Sequence, residues 1–280
     1  MIIHQIFNNN VISVYDEAGR ERVVMGKGIG FKRSSGETIL ESQVDKIFYL
    51  DDAGNHERFK LLLEEIPVEV ITLTDDIINL AKLTLGKKLN ELLYVSLADH
   101  LQFALERHEK GLDIKNALLW EIKRLYREEF GVGVQALELV KSRFGVELPE
   151  DEAAYIALHI VNAELNEEMP NIVSMTKVIQ EILNLVKYHF SLEWDESSLT
   201  YHRFVTHLKF FAQRLVTQTE YEGDEGPLFD LVKTQYPVAY ACTEKVSTFI
   251  RKNYAYTLTD EEKLYLTVHI TRLIKDKNKV

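Results

Sequence analysis

The sequence predicts a multidomain chain: a small antiparallel β-sheet, then two copies of an all-α module of five helices. Three observations predict it. Residues 1–55 carry short β-rich runs separated by turn residues. From Pro67 onward the apolar residues fall on helical spacing. The helical part is also written twice. Leu148 to Ile160, LPEDEAAYIALHI, returns as LTDEEKLYLTVHI at Leu258 to Ile270, and HLQFALER from His100 returns as HLKFFAQR from His207.

The strand-like runs are Ile2-Ile3, Val11-Ile12, Val14-Tyr15, Val23-Val24-Met25, Ile29, Phe31 and Ile47-Phe48-Tyr49-Leu50. Turn signals separate them at Asn8-Asn9-Asn10, Asp16 to Gly19, Gly26 to Gly30 and Ser34-Ser35-Gly36. Runs this short with such brief loops read as an antiparallel meander. A sheet of this size has little core of its own, so a second copy is expected to pack against it.

Residues 51–66 read as a linker running into a helix, with Pro67 the last break. The expected division is 1–55 for the sheet, 56–66 for the linker, 67–170 for the first helical module and 171–280 for the second. Expected helices lie near 68–84, 90–109, 115–128, 133–144 and 150–167, then 171–190, 197–217, 227–234, 236–253 and 259–276. Met169-Pro170-Asn171 is expected to separate the modules, and Glu222 to Pro227 to form a loop inside the second. Thr259 with Glu262 spells a capping box. Pro149 with Glu150, Asp151 and Glu152 places a permitted proline and three acids in a first turn.

A net charge of −11 argues against nonspecific binding to polyanions or membrane surfaces. Residues 1–55 themselves hold six Lys or Arg against eight Asp or Glu, so the usual basic footprint of a nucleic-acid binder is missing. The single cysteine, Cys242, excludes an internal disulfide and fits a reducing cytoplasm. The N-terminus lacks the pattern of a signal peptide, and no apolar run is long enough to insert in a membrane.

Each helical module carries two equivalent histidines, His100 with His159 and His207 with His269. A lone histidine at the edge of an apolar helix face reads as a core residue with one hydrogen bond. Four that recur in register point instead to shared histidine chemistry: nucleophile, proton carrier, metal ligand or phosphate acceptor. In the N-terminal sheet, Asn8-Asn9-Asn10 and Gly26-Lys27-Gly28-Ile29-Gly30-Phe31 form the one suggestive constellation. Asparagine amides can bond base edges, glycines allow close approach, and Phe31 could stack on an unpaired base. Equally, Asn supports turns and Phe31 could fill a core. Strand-like residues follow Gly30, so a phosphate-binding loop is rejected.

NNNVISVYDEAGRERVVMGKGIGFKRSSGE with KIFYL resembles the co-antiterminator RNA-binding domain of the BglG/SacY/LicT transcriptional antiterminators. SLADHLQFALER and ELPEDEAAYIALHIVNAE resemble the first phosphotransferase-system regulation domain of that family, and RFVTHLKFFAQRL and TDEEKLYLTVHITRL the second. The resemblance covers essentially the whole chain. It implies RNA contacts at Asn10, Gly26, Lys27 and Phe31, with Asn8 a further candidate, and regulatory phosphorylation at His100, His159, His207 and His269. At position 27 relatives often carry Arg; Lys27 keeps the charge but not the planar fork.

The resemblance further implies a cytoplasmic homodimer that binds a leader mRNA hairpin overlapping a terminator stem. Phospho-HPr and a sugar-specific permease of the phosphotransferase system are its implied phosphate donors. It implies no catalytic residues, cofactor or metal. Phosphate on His100 or His159 is expected to inhibit, and phosphate on His207 or His269 to activate. Arg107 and Arg214, two turns along from His100 and His207, are candidates to answer the added charge.

Three rival readings are weaker. A phosphotransfer enzyme needs a donor site, and none is visible. A histidine-rich, metal-responsive regulator needs ligand spacing that the sequence lacks. A DNA-binding regulator on the same modules needs a helix-turn-helix where residues 1–55 are strand-like. His4, His56, His108, His189 and His202 have no partner in the repeat and read as surface or structural.

Overall fold

The computed structural model describes residues 1–16, 19–48, 66–219 and 226–277. Four strands, β1 (Ile2–Asn8), β2 (Val11–Tyr15), β3 (Glu21–Met25) and β4 (Lys46–Phe48), form one antiparallel sheet in the order β1-β2-β3-β4. Ile3 opposes Val14, Ile12 opposes Val24, and Val24 opposes Ile47. Side chains alternate between two faces, as strand geometry requires. Ile3, Ile12, Val14 and Val24 turn to one side and close over Ile29 and Ile39 from the sheet's own loops.

Val11, Val23, Met25 and Phe48 turn to the other side and join the core of the first helical module. Phe48 meets Tyr94 edge-on at 5.2 Å between ring centroids. Lys46 Nζ donates to Tyr94 Oη at 3.0 Å and pairs with Asp75. The sheet's second apolar face is therefore covered by the first helical module.

Ile29 and Phe31 do not lie in strands. Residues 26–32 make successive turns, with Ile29 N bonded to Gly26 O and Phe31 N to Gly28 O. Ile29 is buried and Phe31 exposed. Tyr49, Leu50 and the expected linker lie outside the described residues, apart from Ile66.

The chain divides into two compact units, Met1–Glu167 and Glu168–Val280. The first contains α1 (Val68–Leu85), α2 (Leu92–Glu109), α3 (Leu119–Leu125), α4 (Arg127–Phe144) and α5 (Glu150–Leu165). The second contains α6 (Met169–Phe190), α7 (Leu199–Thr217), α8 (Gly226–Gln235), α9 (Pro237–Tyr254) and α10 (Asp260–Lys277). Among the described residues each unit therefore holds five α-helices.

Four local expectations change. The helix expected over 115–128 is the short α3, and the one expected from 133 begins at Arg127. The break is Tyr126, whose φ of −124° and ψ of 51° bend the chain between them. Tyr236 makes the same bend before α9, with φ −126° and ψ 57°. Gly133 argues against helix by propensity, yet a Cβ there would lie 2.2 Å from Ala153 O. Close approach of α4 to α5 requires that glycine and overrides the propensity.

Met169 and Pro170 are not a separator. They open α6, where the proline's missing N–H would have had no helical partner anyway. Gly226 and Pro227, expected in the second-module loop, already belong to α8, and the rest of that expected loop lies outside the described residues. Pro149 is the cap residue before α5, and the three acids fill the first turn. The capping box holds: Glu262 N donates to Thr259 Oγ1 at 3.2 Å, and Thr259 N donates to Glu262 Oε2 at 3.1 Å.

Candidate functional site

In the first unit, α2 and α5 bring two helix faces together. His100 and Arg107 stand two turns apart on α2, while Glu152, Tyr155 and His159 share one face of α5 at spacings of three and four. The His100 and His159 rings meet at 4.9 Å between centroids, with Tyr155 5.6 Å from His100. His100 Nε2 approaches Glu152 Oε2 to 2.9 Å without hydrogen-bond alignment. Arg107 Nη2 donates to the other oxygen of Glu152 at 3.2 Å. Glu152 is buried, so this pairing stabilises a charge that would otherwise be costly.

The second unit repeats the arrangement between α7 and α10. The His207 and His269 centroids are 4.0 Å apart. Tyr265 stacks on His207, and Phe204 on His269. Arg214 Nε lies 3.4 Å from Glu262 Oε1, which also accepts from Tyr256 Oη at 3.0 Å. A cleft of about 210 Å³ opens over His207, His269, Arg214 and Tyr265. His269 is buried and His207 exposed.

These surroundings favour the neutral form of His159, His207 and His269. Burial, then the neighbouring His100, pulls His159 down to about 3. Burial, then His207, Arg272 and Arg203, pulls His269 down to about 4. Partial desolvation, then the charges of Arg272 and Arg214, lowers His207. A neutral imidazole keeps a lone pair free, which is the form that accepts a phosphoryl group or a metal. Nδ1 of His159 and of His269 is buried without a hydrogen-bond partner among the described residues.

Arg107 and Arg214 were candidates to answer phosphate; each is held by a buried glutamate instead. Sequence reasoning did not assign Glu152, Glu262, Tyr155 or Tyr265 to the site. The signal was present, because all four recur in the repeat. Tyr256 carried no such signal. Among the unpaired histidines, His108 Nδ1 lies 2.9 Å from Asp113 Oδ1, and His56 is outside the described residues.

The N-terminal candidates come together at one end of the sheet. Asn10 Oδ1 accepts from Gly28 N at 2.8 Å, and Asn8 Oδ1 accepts from Asn10 N at 2.9 Å. Gly26 N donates to Asn10 O and Gly30 N to Asn9 O, which fastens the asparagine turn to the glycine turn. A Cβ on Gly26 would sit 2.0 Å from Gln43 O. Lys27 N donates to Asp45 Oδ2, leaving the Lys27 side chain exposed. Phe31 is 56% exposed, with Lys32 Nζ 5.3 Å from its ring centroid. So the asparagine oxygens support turns, whereas the Asn10 side-chain amide donates to no protein group among the described residues, and Phe31 fills no core.

Comparison with known proteins agrees with this division. Residues 1–57 match the CAT RNA binding domain, and residues 75–163 and 180–273 each match the PRD domain. The chain is 57% identical over 275 residues to the transcription antiterminator LicT of Bacillus subtilis (strain 168), covering 98% of this chain and 99% of that protein. It is 50% identical over 273 residues to a beta-glucoside operon antiterminator of Dickeya chrysanthemi, covering 98% and 96%. A crystal structure of GlcT CAT-PRDI aligns with a TM-score of 0.53 at 33% identity, over 58% of this chain and 97% of that one. An RNA-binding sheet followed by two PRD modules, matched over nearly its full length, makes this chain a member of the BglG/LicT family of transcriptional antiterminators.

Proposed function

We propose that the chain is a sugar-responsive transcriptional antiterminator switched by histidine phosphorylation. The observation that carries this reading is the duplicated site. Two modules each bring two histidines into ring contact beside a buried glutamate paired with an arginine, and they follow a sheet of the CAT type in the sequence. A phosphoryl group there adds roughly two negative charges to a packed helix pair, enough to reorganise it.

In this reading the turns at Asn8, Asn10, Gly26, Lys27 and Phe31 bind a leader mRNA hairpin that overlaps a terminator. Phospho-HPr and a sugar-specific permease phosphorylate His100, His159, His207 and His269. The chain acts in the cytoplasm as a homodimer and performs no catalysis of its own. The test is a gel-shift titration of the full chain against the leader of the sugar operon beside its gene, with light scattering alongside. Binding to the partly palindromic hairpin, by a species of twice 32.4 kDa, supports the reading. No affinity above that for a scrambled hairpin contradicts it.

A further inference from the structure

The two histidine pairs share their fold position, yet the repeat register exposes a difference in charge. Aligning His100 with His207 sets Ser96 against Arg203 and Asp99 against Thr206. Aligning His159 with His269 sets Asn162 against Arg272. These three places carry one negative charge in the first module and two positive charges in the second. Arg203 precedes His207 by four residues and Arg272 follows His269 by three, so each arginine sits one turn from a histidine on the same face. Arg272 acts electrostatically on both His207 and His269, and Arg203 on His269. Both arginine side chains are exposed.

The acids at the site do not cancel this. Glu261 and Glu262 line the second-module cleft, but Asp151 and Glu152 hold the same places in the first. Glu262 is already engaged by Arg214 and Tyr256. In the first module, His100 faces Glu152 at 2.9 Å, and Arg107 is taken up by that same glutamate.

We propose that the second module is the phosphate-retaining one, with Arg203 and Arg272 holding the phosphoryl group carried by His207 or His269. The inference rests on the phosphohistidine reading above. Arginine suits the task, since its planar fork gives charge-assisted bonds to phosphate oxygens. Transfer from a phosphoramidate reagent balances simply. A ring nitrogen's lone pair forms the new N–P bond, and ammonia leaves with the old P–N pair. The other ring nitrogen then releases its proton.

The test treats the full chain with phosphoramidate and maps phosphate by peptide mass spectrometry over time. Phosphate on His207 and His269 should outlast phosphate on His100 and His159 by about tenfold, the size of one charge-assisted hydrogen bond. Arg203→Gln with Arg272→Gln should abolish the difference, and Arg203→Lys with Arg272→Lys should restore part of it. Ser96→Arg with Asn162→Arg should lengthen retention in the first module. Equal lifetimes in the two modules of the native chain, or a Gln double variant that retains phosphate like the native chain, would overturn the arginine assignment alone. A chain labelled on none of the four histidines would overturn the phosphohistidine reading together with it.

Discussion

His207 and His269 stand 4.0 Å apart between ring centroids, although they lie on different helices and 62 residues apart in the chain. The contact explains why both are kept in the repeat. A charge placed on one ring is felt at once by the other and by the Arg214–Glu262 pair beside them. Introducing Glu262→Gln removes the carboxylate charge that holds Arg214 Nε, without changing the side chain's length, and so favours turning Arg214 toward an added phosphate. Phosphohistidine in the second module should then survive longer, as read by phosphorus NMR. An unchanged lifetime would mean that Arg214 does not reach the group.

Acid should loosen the helical modules through their buried histidines. His159 and His269 are lowered from 6.5 to about 3 and about 4. A base whose folded value is depressed binds more protons when unfolded, between the folded value and 6.5. Its stabilising contribution is therefore complete above pH 6.5 and is lost as pH falls through the folded values. The urea midpoint should decline steadily from pH 6.5 to about 4.5, above the range of ordinary carboxylates. His159→Gln should flatten that decline, and a native midpoint constant over the window would contradict the burial argument.

Gly26 joins the β3 end to the asparagine turn, and a Cβ there would collide with backbone at Gln43 O. Backbone cannot swing aside as a flexible side chain can. Gly26→Ala should cost about 1–3 kcal/mol in thermal or urea unfolding of the full chain, the usual range for overpacking. A melting curve superimposable on the native one would show that the turn has room to spare.

Phe31 projects to solvent with Lys32 Nζ 5.3 Å from its ring centroid. Phe31→Ala should leave the unfolding curve unchanged and weaken hairpin binding by about 1–3 kcal/mol if the ring stacks on a base. Loss of stability without loss of affinity would return Phe31 to a packing role.

Thr259 and Glu262 cap α10 and so position His269 two turns later. Thr259→Ala should cost about 0.5–2 kcal/mol of stability. Thr259→Ser should recover most of it, because the hydroxyl is what accepts from Glu262 N.

Much of this was legible in the chain. The duplicated motifs placed all four histidines, while Glu152 and Tyr155, which recur beside them, went unassigned. Local chemistry at Thr259 and Glu262 fixed a helix start. What stayed hidden depends on long-range packing. Gly133 is a weak helix former until Ala153 of another helix needs its space. Phe48 reads as a strand residue in any partner's core, and only the fold shows Tyr94 opposite it. Phe31 reads equally as core or surface, because a turn has no periodicity to betray which side it faces. The role of Arg107 was ambiguous for a related reason: its partner Glu152 lies 45 residues away in sequence.

The central claim is that the histidine pairs switch antitermination. It is tested most directly by readthrough of a terminator reporter carrying the operon leader, in cells expressing the full chain. Without HPr phosphorylation, His207→Asp with His269→Asp should raise readthrough; with the phosphotransferase system intact and sugar present, His100→Asp with His159→Asp should abolish it. His100→Ala with His159→Ala, in cells with the phosphotransferase system intact, should leave readthrough on in the absence of sugar. Readthrough indistinguishable from the native chain in all three variants would contradict the claim and make the four histidines packing residues.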